Sequence, residues 1–263
     1  MNFIETETTN NITTIRFNRP EIHNAFNPEM ILHLTRIFKE LKGHPELRAV
    51  ILTGNGRSFS AGADVNWMRS TRDFTYEQNL EDAKELEKMF NTISNCPKPV
   101  IGRINGHAFG GGIGLISTCD IAIAVANAKF GITEVNLGII PAVISTYIIP
   151  RIGLGNAARF FITGERFNTQ TAKQIGLINQ VVPDIESLDA VIMDIITNIH
   201  ASSPKSITAA KQLLQKYRTL ELPSYRNYCI KEIAKIRTSD EGREGLSAFL
   251  EKRRPSWYVN SQR

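Results

Sequence analysis

Residues 104–141, INGHAFGGGIGLISTCDIAIAVANAKFGITEVNLGIIP, constrain this chain more than any other stretch. A strand-like run, residues 98–104, ends at the turn pair Asn105-Gly106. Gly110, Gly111 and Gly112 follow, then an apolar run, residues 113–117, that suits a helix. Without a Cβ in the way, such a backbone can come close to a ligand. At a helix N-terminus its amides also aim unpaired N–H groups at one spot where negative charge is favoured. Downstream, Glu134 sits between Thr133 and Val135 in apolar, glycine-rich surroundings. A carboxylate so placed has its pKa raised, which suits proton transfer. The stretch therefore offers an anion hole and one candidate acid/base. It is not a dinucleotide fingerprint, because from Gly110 and Gly112 the third glycine would fall at Leu115. No glycine-rich loop ends in Gly-Lys-Ser/Thr, so a P-loop is absent too. Three glycines alone more often mark a plain turn, and the rest of the chain has to decide.

The chain of 263 residues suffices for one large domain, or one domain with an appendage. A net charge of +5 suits a polyanionic ligand, although a solvated surface excess is the default reading. The only basic run is Lys252-Arg253-Arg254, so no nucleic-acid stripe is evident. Cys96, Cys119 and Cys229 are an odd number without metal-ligand spacing, which reads as free thiols in a reducing, cytoplasmic setting. The N-terminus lacks the apolar core of a signal peptide, and no apolar run is long enough to span a bilayer. His23, His33, His44 and His200 show no metal spacing. His107 reads as a turn-filling side chain and Asp120 as a turn cap.

Along the chain, β-branched alternation over residues 3–18 predicts a first hairpin. Asn27-Pro28 opens a helix whose apolar positions run from Met30 to Leu41, and Gly43 closes it. Residues 49–53 read as a buried strand. Ser60-Ala61-Gly62-Ala63-Asp64, all small residues ending in an acid, offers a second close backbone approach. Residues 66–74 read as mobile and polar, though Trp67 and Met68 could wall a pocket. A capping box, Thr75 with Gln78, starts a helix with an apolar face at Leu80, Ala83, Leu86, Phe90 and Ile93. A strand follows at residues 120–126, then short extended pieces at 130–131 and 137–140. Ser145 and Thr146 are expected to cap a helix. This is an α/β pattern. From residue 184 it gives way to four helices, 184–200, 204–219, 223–237 and 240–253, started by Ser203-Pro204 and by Thr238 with Glu241. Two regions are thus expected: 1–183 as the α/β core and 184–263 as a helical assembly region.

Six segments in order carry a resemblance: FNRPEIHNAFN at 17–27, SAGAD at 60–64, INGHAFGGG at 104–112, CDIAIA at 119–124, FGITEVNLGIIP at 130–141 and GLSAFLEKRRPSW at 245–257. Together they resemble the crotonase, or enoyl-CoA hydratase/isomerase, superfamily over nearly the whole chain. The resemblance implies a spiral of ββα repeats with C-terminal helices that build homotrimers, often paired into hexamers. It implies an acyl-CoA thioester substrate and no cofactor beyond the coenzyme A of that substrate. The amides of Ala63 and Gly111 would form the oxyanion hole for the thioester carbonyl. Ala61, Gly62, Asp64 and Val65 would line the adenine and pantetheine side, and Gly110 and Gly114 would belong to the same substrate- and CoA-binding set. Phe249 and Lys252 match positions near the CoA of an adjacent subunit. No metal is implied.

Hydratases of this family typically carry two glutamates. The second matches Glu134; the first, two residues after the triple glycine, falls here on Gly114. With both, one holds and deprotonates water while the other protonates the α-carbon. With Glu134 alone, water addition needs help from elsewhere, such as a carboxylate on the substrate. A one-glutamate site also fits the Δ3–Δ2 double-bond isomerases. The AVIS segment after Pro141 resembles a bacterial subgroup that hydrates 3-methylglutaconyl-CoA. Syn hydration of an α,β-unsaturated acyl-CoA is the leading expectation and isomerisation the second. A reading of another class is binding without catalysis, as in an RNA-binding branch of the family, which would not need Glu134 or intact oxyanion turns.

Overall fold

The computed structural model describes residues 3–258 of the chain. The first hairpin joins β1 (Ile4–Thr9) to β2 (Ile12–Phe17), with Ile4 opposite Phe17. Next comes α1 (Pro28–Lys42), started as its sequence predicts: Asn27 accepts a hydrogen bond from the Met30 amide at 3.0 Å. Then follow β3 (Ala49–Gly54), β4 (Ser58–Ser60), α2 (Val65–Thr71) and α3 (Tyr76–Ser94), the last with its capping box complete. The next repeat is β5 (Val100–Ile104), β6 (His107–Phe109) and α4 (Gly111–Thr118). After β7 (Ile121–Val125) and β8 (Lys129–Gly131) come α5 (Ala142–Ile152), α6 (Leu154–Thr163), β9 (Arg166–Asn168), α7 (Thr169–Gln174) and β10 (Gln180–Val182). The chain continues through α8 (Ile185–Ala201), α9 (Pro204–Thr219), α10 (Leu222–Thr238) and α11 (Asp240–Leu250).

The repeat is a pair of strands followed by helix. In the pairs β3/β4, β5/β6 and β7/β8 the first strand joins one six-stranded sheet, ordered β1-β2-β3-β5-β7-β10. The second joins a smaller sheet, ordered β4-β6-β8-β9. β2, β3, β5, β7 and β10 run parallel, so each return to the larger sheet needs a crossover. Parallel strands buried on both faces read as continuous apolar runs rather than alternating ones. β3, AVILTG, is buried at every position. Each turn of this spiral delivers the end of a short strand and the start of a helix to the same place.

Two compact units result: the residues up to Cys96 together with Val100–Ile192, and Pro97–Pro99 together with the chain from Met193 on. The division falls within α8. In the second unit, Ser203 caps α9 by accepting from the Ser206 amide at 3.1 Å. The start of α11 differs from expectation. Ser239, not Thr238, caps it through the Gly242 amide, and Glu241 instead accepts from the Ser203 hydroxyl and the Lys205 amide.

Other differences have local causes. Residues 65–71 form a helix rather than a mobile loop, because Asp64 caps it, accepting from the Asn66 amide at 2.8 Å. The segment expected to be extended at 137–140 instead follows a 3₁₀ turn, Glu134–Leu137, closed by Gly138 at φ +73°. Ser145 and Thr146 lie inside α5 and cap nothing. Their hydroxyls donate to the carbonyls of Ala142 and Val143, three residues back.

Candidate active site

The first unit holds a cavity of about 400 Å³ where the two sequence turns meet. One side is the loop before α2. A short parallel bridge pairs Phe26 with Ala63: the Phe26 amide donates to the Gly62 carbonyl at 2.8 Å and the Asp64 amide to the Phe26 carbonyl at 3.0 Å. Amides alternate in direction along extended backbone, so the Ala63 N–H faces away from this bridge. The other side is the start of α4, where the Gly111 amide is the first of the helix and has no intrahelical acceptor. A Cβ placed on Gly62 would stand 3.0 Å from the Gly111 nitrogen, so the two turns are in contact. Gly62 has φ +83° and Gly110 φ +50°, conformations that admit glycine at little cost.

The three glycines serve different close approaches. A Cβ at Gly110 would lie 3.1 Å from Glu134 Oε1. At Gly111 it would run into the Phe26 ring, and at Gly112 into the Ser60 carbonyl. The chain's own groups, as much as any ligand, require the absence of side chains here.

Glu134 begins its 3₁₀ turn with its carboxyl against Gly110. Burial raises its pKa above the ordinary value, with a backbone hydrogen bond as the weaker opposing cause. Its Oε2 is buried and, among the described residues, has no hydrogen-bond partner. A buried oxygen left unpaired is costly. It is also free to handle a proton from whatever occupies the cavity. Ala61, Ala63, Gly110, Gly111 and Glu134 all line this space, with Trp67 and Met68 in the wall of α2. Ile139, Ile140, Val143 and Ile144 supply apolar surface. The arrangement can hold a carbonyl oxygen with two backbone donors beside one carboxyl of raised pKa.

The enoyl-CoA hydratase/isomerase family model matches residues 7–260. The chain belongs to the enoyl-CoA hydratase/isomerase family. It is 30% identical over 247 residues to the 2,3-dehydroadipyl-CoA hydratase of Escherichia coli, covering 94% of each chain. It is 29% identical over 265 residues to the peroxisomal Delta(3,5)-Delta(2,4)-dienoyl-CoA isomerase of Arabidopsis thaliana, covering 97% of this chain and 95% of that one. Among solved structures, an enoyl-CoA hydratase from Shewanella pealeana superposes with a TM-score of 0.92 at 37% identity, covering 97% of this chain and 96% of that one. The fold is the crotonase spiral, and the protein is an enzyme of this family.

Within the enoyl-CoA hydratase/isomerase frame, not every residue singled out by sequence reaches the cavity. Asp64 is 5% exposed and its carboxylate meets Arg19 at 2.7 Å while capping α2, which makes it a structural group. Val65 is 61% exposed at the first position of α2, and Gly62 packs against Phe109 and Gly111. Gly114 is buried in α4, where a Cβ would lie 2.5 Å from Ile144 Cγ2 and 2.9 Å from Phe90 Cζ. The space beside Gly114 is thus filled by apolar side chains from α5 and α3. Phe249 and Lys252 belong to the second unit, Phe249 79% exposed on α11 and Lys252 just past it with φ +55°. His107 Nδ1 accepts from the Lys129 amide and Asp120 accepts from the Val100 amide, both structural.

Among the lining residues that sequence reasoning missed are Phe26 and Asp82. Asp82 sits in the acidic run EDAKELEK, which reads as a solvated face. The available signal was spacing: Asn79, Asp82 and Leu86 recur at i, i+3, i+7, one stripe of α3.

Proposed function

We propose that the protein adds water to an α,β-unsaturated acyl-CoA thioester, or catalyses the reverse, through a thioester enolate. The observation that carries this reading is the unpartnered Glu134 Oε2 on a carboxyl packed against Gly110, beside the Ala63 and Gly111 amides. The thioester oxygen accepts from the two amides. As negative charge builds on it, the fixed donors stabilise the enolate more than the ground state; loss of one such donor costs roughly 3 kcal/mol. Glu134 transfers the proton at the α-carbon. Coenzyme A enters as part of the substrate, and no separate cofactor takes part.

The lining bears on the acyl group. Among the described residues that line the cavity there is no lysine, arginine or histidine, whereas Asp82 and Glu134 are both acids. A free carboxylate on the acyl chain would have no partner there and would face like charge. An uncharged enoyl group is therefore favoured over 3-methylglutaconyl-CoA, the substrate of the subgroup that the AVIS segment resembles. The second reading, Δ3–Δ2 isomerisation, is favoured by Gly114 in place of the first glutamate. The reading also includes a homotrimer or dimer of trimers, with Phe249 and Lys252 next to the CoA of a neighbouring subunit.

The test is direct. With crotonyl-CoA, 3-methylglutaconyl-CoA and a 3-enoyl-CoA in parallel, loss of conjugated thioester absorbance from crotonyl-CoA supports the reading. Its appearance from the 3-enoyl thioester alone supports isomerisation. Glu134→Gln is expected to bind CoA thioesters as before but turn over about 10²–10⁴-fold more slowly. Retention of most activity would remove Glu134 from the reaction.

A further inference from the structure

Gly114 leaves hydration one carboxylate short, and the structure closes the obvious route to replacing it: Ile144 and Phe90 occupy that wall. The same cavity has a second acid elsewhere. Asp82 projects from α3, half-buried, among Trp67, Thr71, Asn79, Ala83 and Leu86. We propose that Asp82 is the second acid/base group of the site, the one that binds and deprotonates the water added to the β-carbon. This rests on the hydration reading above and names the residue that reading lacks.

Three features converge on Asp82. First, the Trp67 indole faces it: the indole N–H is near enough to favour the carboxylate form, yet Nε1 is buried without a well-formed hydrogen bond among the described residues. A donor poised but unsaturated leaves the carboxylate with oxygen lone pairs free for water. Second, burial is the leading influence on the group and raises its pKa, so the carboxylate is a better base than a solvated aspartate. Third, Asp82 also borders a separate outer hollow of about 320 Å³, lined by Gln78, Glu81 and Glu85 of α3 and by Pro28, Ile31 and Leu32 of α1. It therefore has the acyl cavity on one side and a solvent-open hollow, whose wall is mainly apolar and includes Phe74, on the other. That gives it a route to exchange its proton with solvent after each turnover.

The step balances. Asp82 takes one proton from water as the water oxygen forms the bond to C3. The C2–C3 π pair moves towards C1, and the thioester oxygen, held by Ala63 and Gly111, carries the charge. The enolate then collapses as protonated Glu134 gives its proton to C2. One water is consumed and none of the groups is oxidised or reduced. Asp82 ends protonated and Glu134 ionised, and solvent returns both to their starting states.

The experiment separates this from the parent reading by using two reactions of the full-length protein. Exchange of the α-proton of butyryl-CoA in D₂O, followed by NMR, needs only the oxyanion hole and Glu134. Hydration of crotonyl-CoA needs the water-handling group as well. Asp82→Asn is expected to keep α-exchange within about twofold while hydration falls about 10²–10³-fold, with Asp82→Glu recovering part of it. Hydration by Asp82→Asn at the wild-type rate overturns the proposal. So does an equal loss of both reactions in a variant that still melts as the wild type does, since that marks Asp82 as structural. Glu134→Gln reports on the parent reading instead: if it retains α-exchange, the enolate role of Glu134 fails whatever Asp82 does.

Discussion

Glu134 holds its carboxyl in a place that favours the proton. Burial raises its pKa above 4.5, so the folded chain binds that proton more tightly than the unfolded chain does. The resulting stabilisation is fully present below 4.5 and is lost as pH rises through the raised folded value. Whenever it is ionised, the buried group is a local burden on the fold, one that its chemistry requires. Glu134→Gln, neutral and nearly isosteric, escapes it. The variant should melt at a higher temperature than the wild type once the pH exceeds the raised folded value, and the gap should close as the solution is acidified towards the ordinary carboxylate range. A gap that stays constant with pH would mean the carboxylate is solvated. Individual residues were legible where their backbone was. Glu134 and Gly111 lie in segments whose glycines and apolar neighbours leave little freedom. Asp64 was misread because an acid after a small-residue turn looks the same whether it meets a ligand or Arg19. Asp82 was missed because an acidic helix surface conceals a carboxylate that lines the cavity.

Helices and strands with local signals were readable, and those defined by tertiary contact were not. The Asn27 cap and the Thr75–Gln78 box each satisfy orphan amides of their own helix, so sequence alone locates α1 and α3. β4 and β6, three residues each, exist by pairing with one another in the smaller sheet and carry too few residues for any period to show. α5 was expected to start at Ser145 or Thr146, yet it already runs from Ala142, and α6, LGNAARFFIT, drew no reading. Gly114 shows how such packing limits chemistry. It is where α4 meets Ile144 of α5 and Phe90 of α3. Restoring the family's first glutamate by Gly114→Glu would force these helices apart and bury an unpaired charge. The cost is on the order of 3 kcal/mol or more. Thermal unfolding of the variant should show that loss, and crotonyl-CoA hydration should fall rather than rise. A stable variant with faster hydration would mean α3 and α5 yield more than their packing indicates.

The whole molecule leaves one surface unaccounted for. The C-terminal helices carry many large apolar residues, which the structure divides into two groups. Ile192, Ile196 and Ile199 of α8 are buried within the chain itself. Leu214, Ile230, Ile233, Leu246 and Phe249, on α9 to α11, remain at least half exposed. Next to them a hollow of about 550 Å³ is lined almost wholly by apolar groups, including Leu213, Ile230, Ile233 and Ile236. Large apolar side chains left exposed around an apolar hollow suit burial against another subunit of a closed assembly. The full chain should therefore scatter light at micromolar concentration as an integral multiple of 29.4 kDa, three or six by family resemblance. Ile233→Glu places a charge in the middle of that hollow. It should shift the protein towards the monomer while leaving the Glu134 cavity, which is lined entirely by the first unit, intact. A wild-type mass of 29.4 kDa would overturn the assembly. An unchanged oligomer in the Ile233→Glu variant would move the interface to another face.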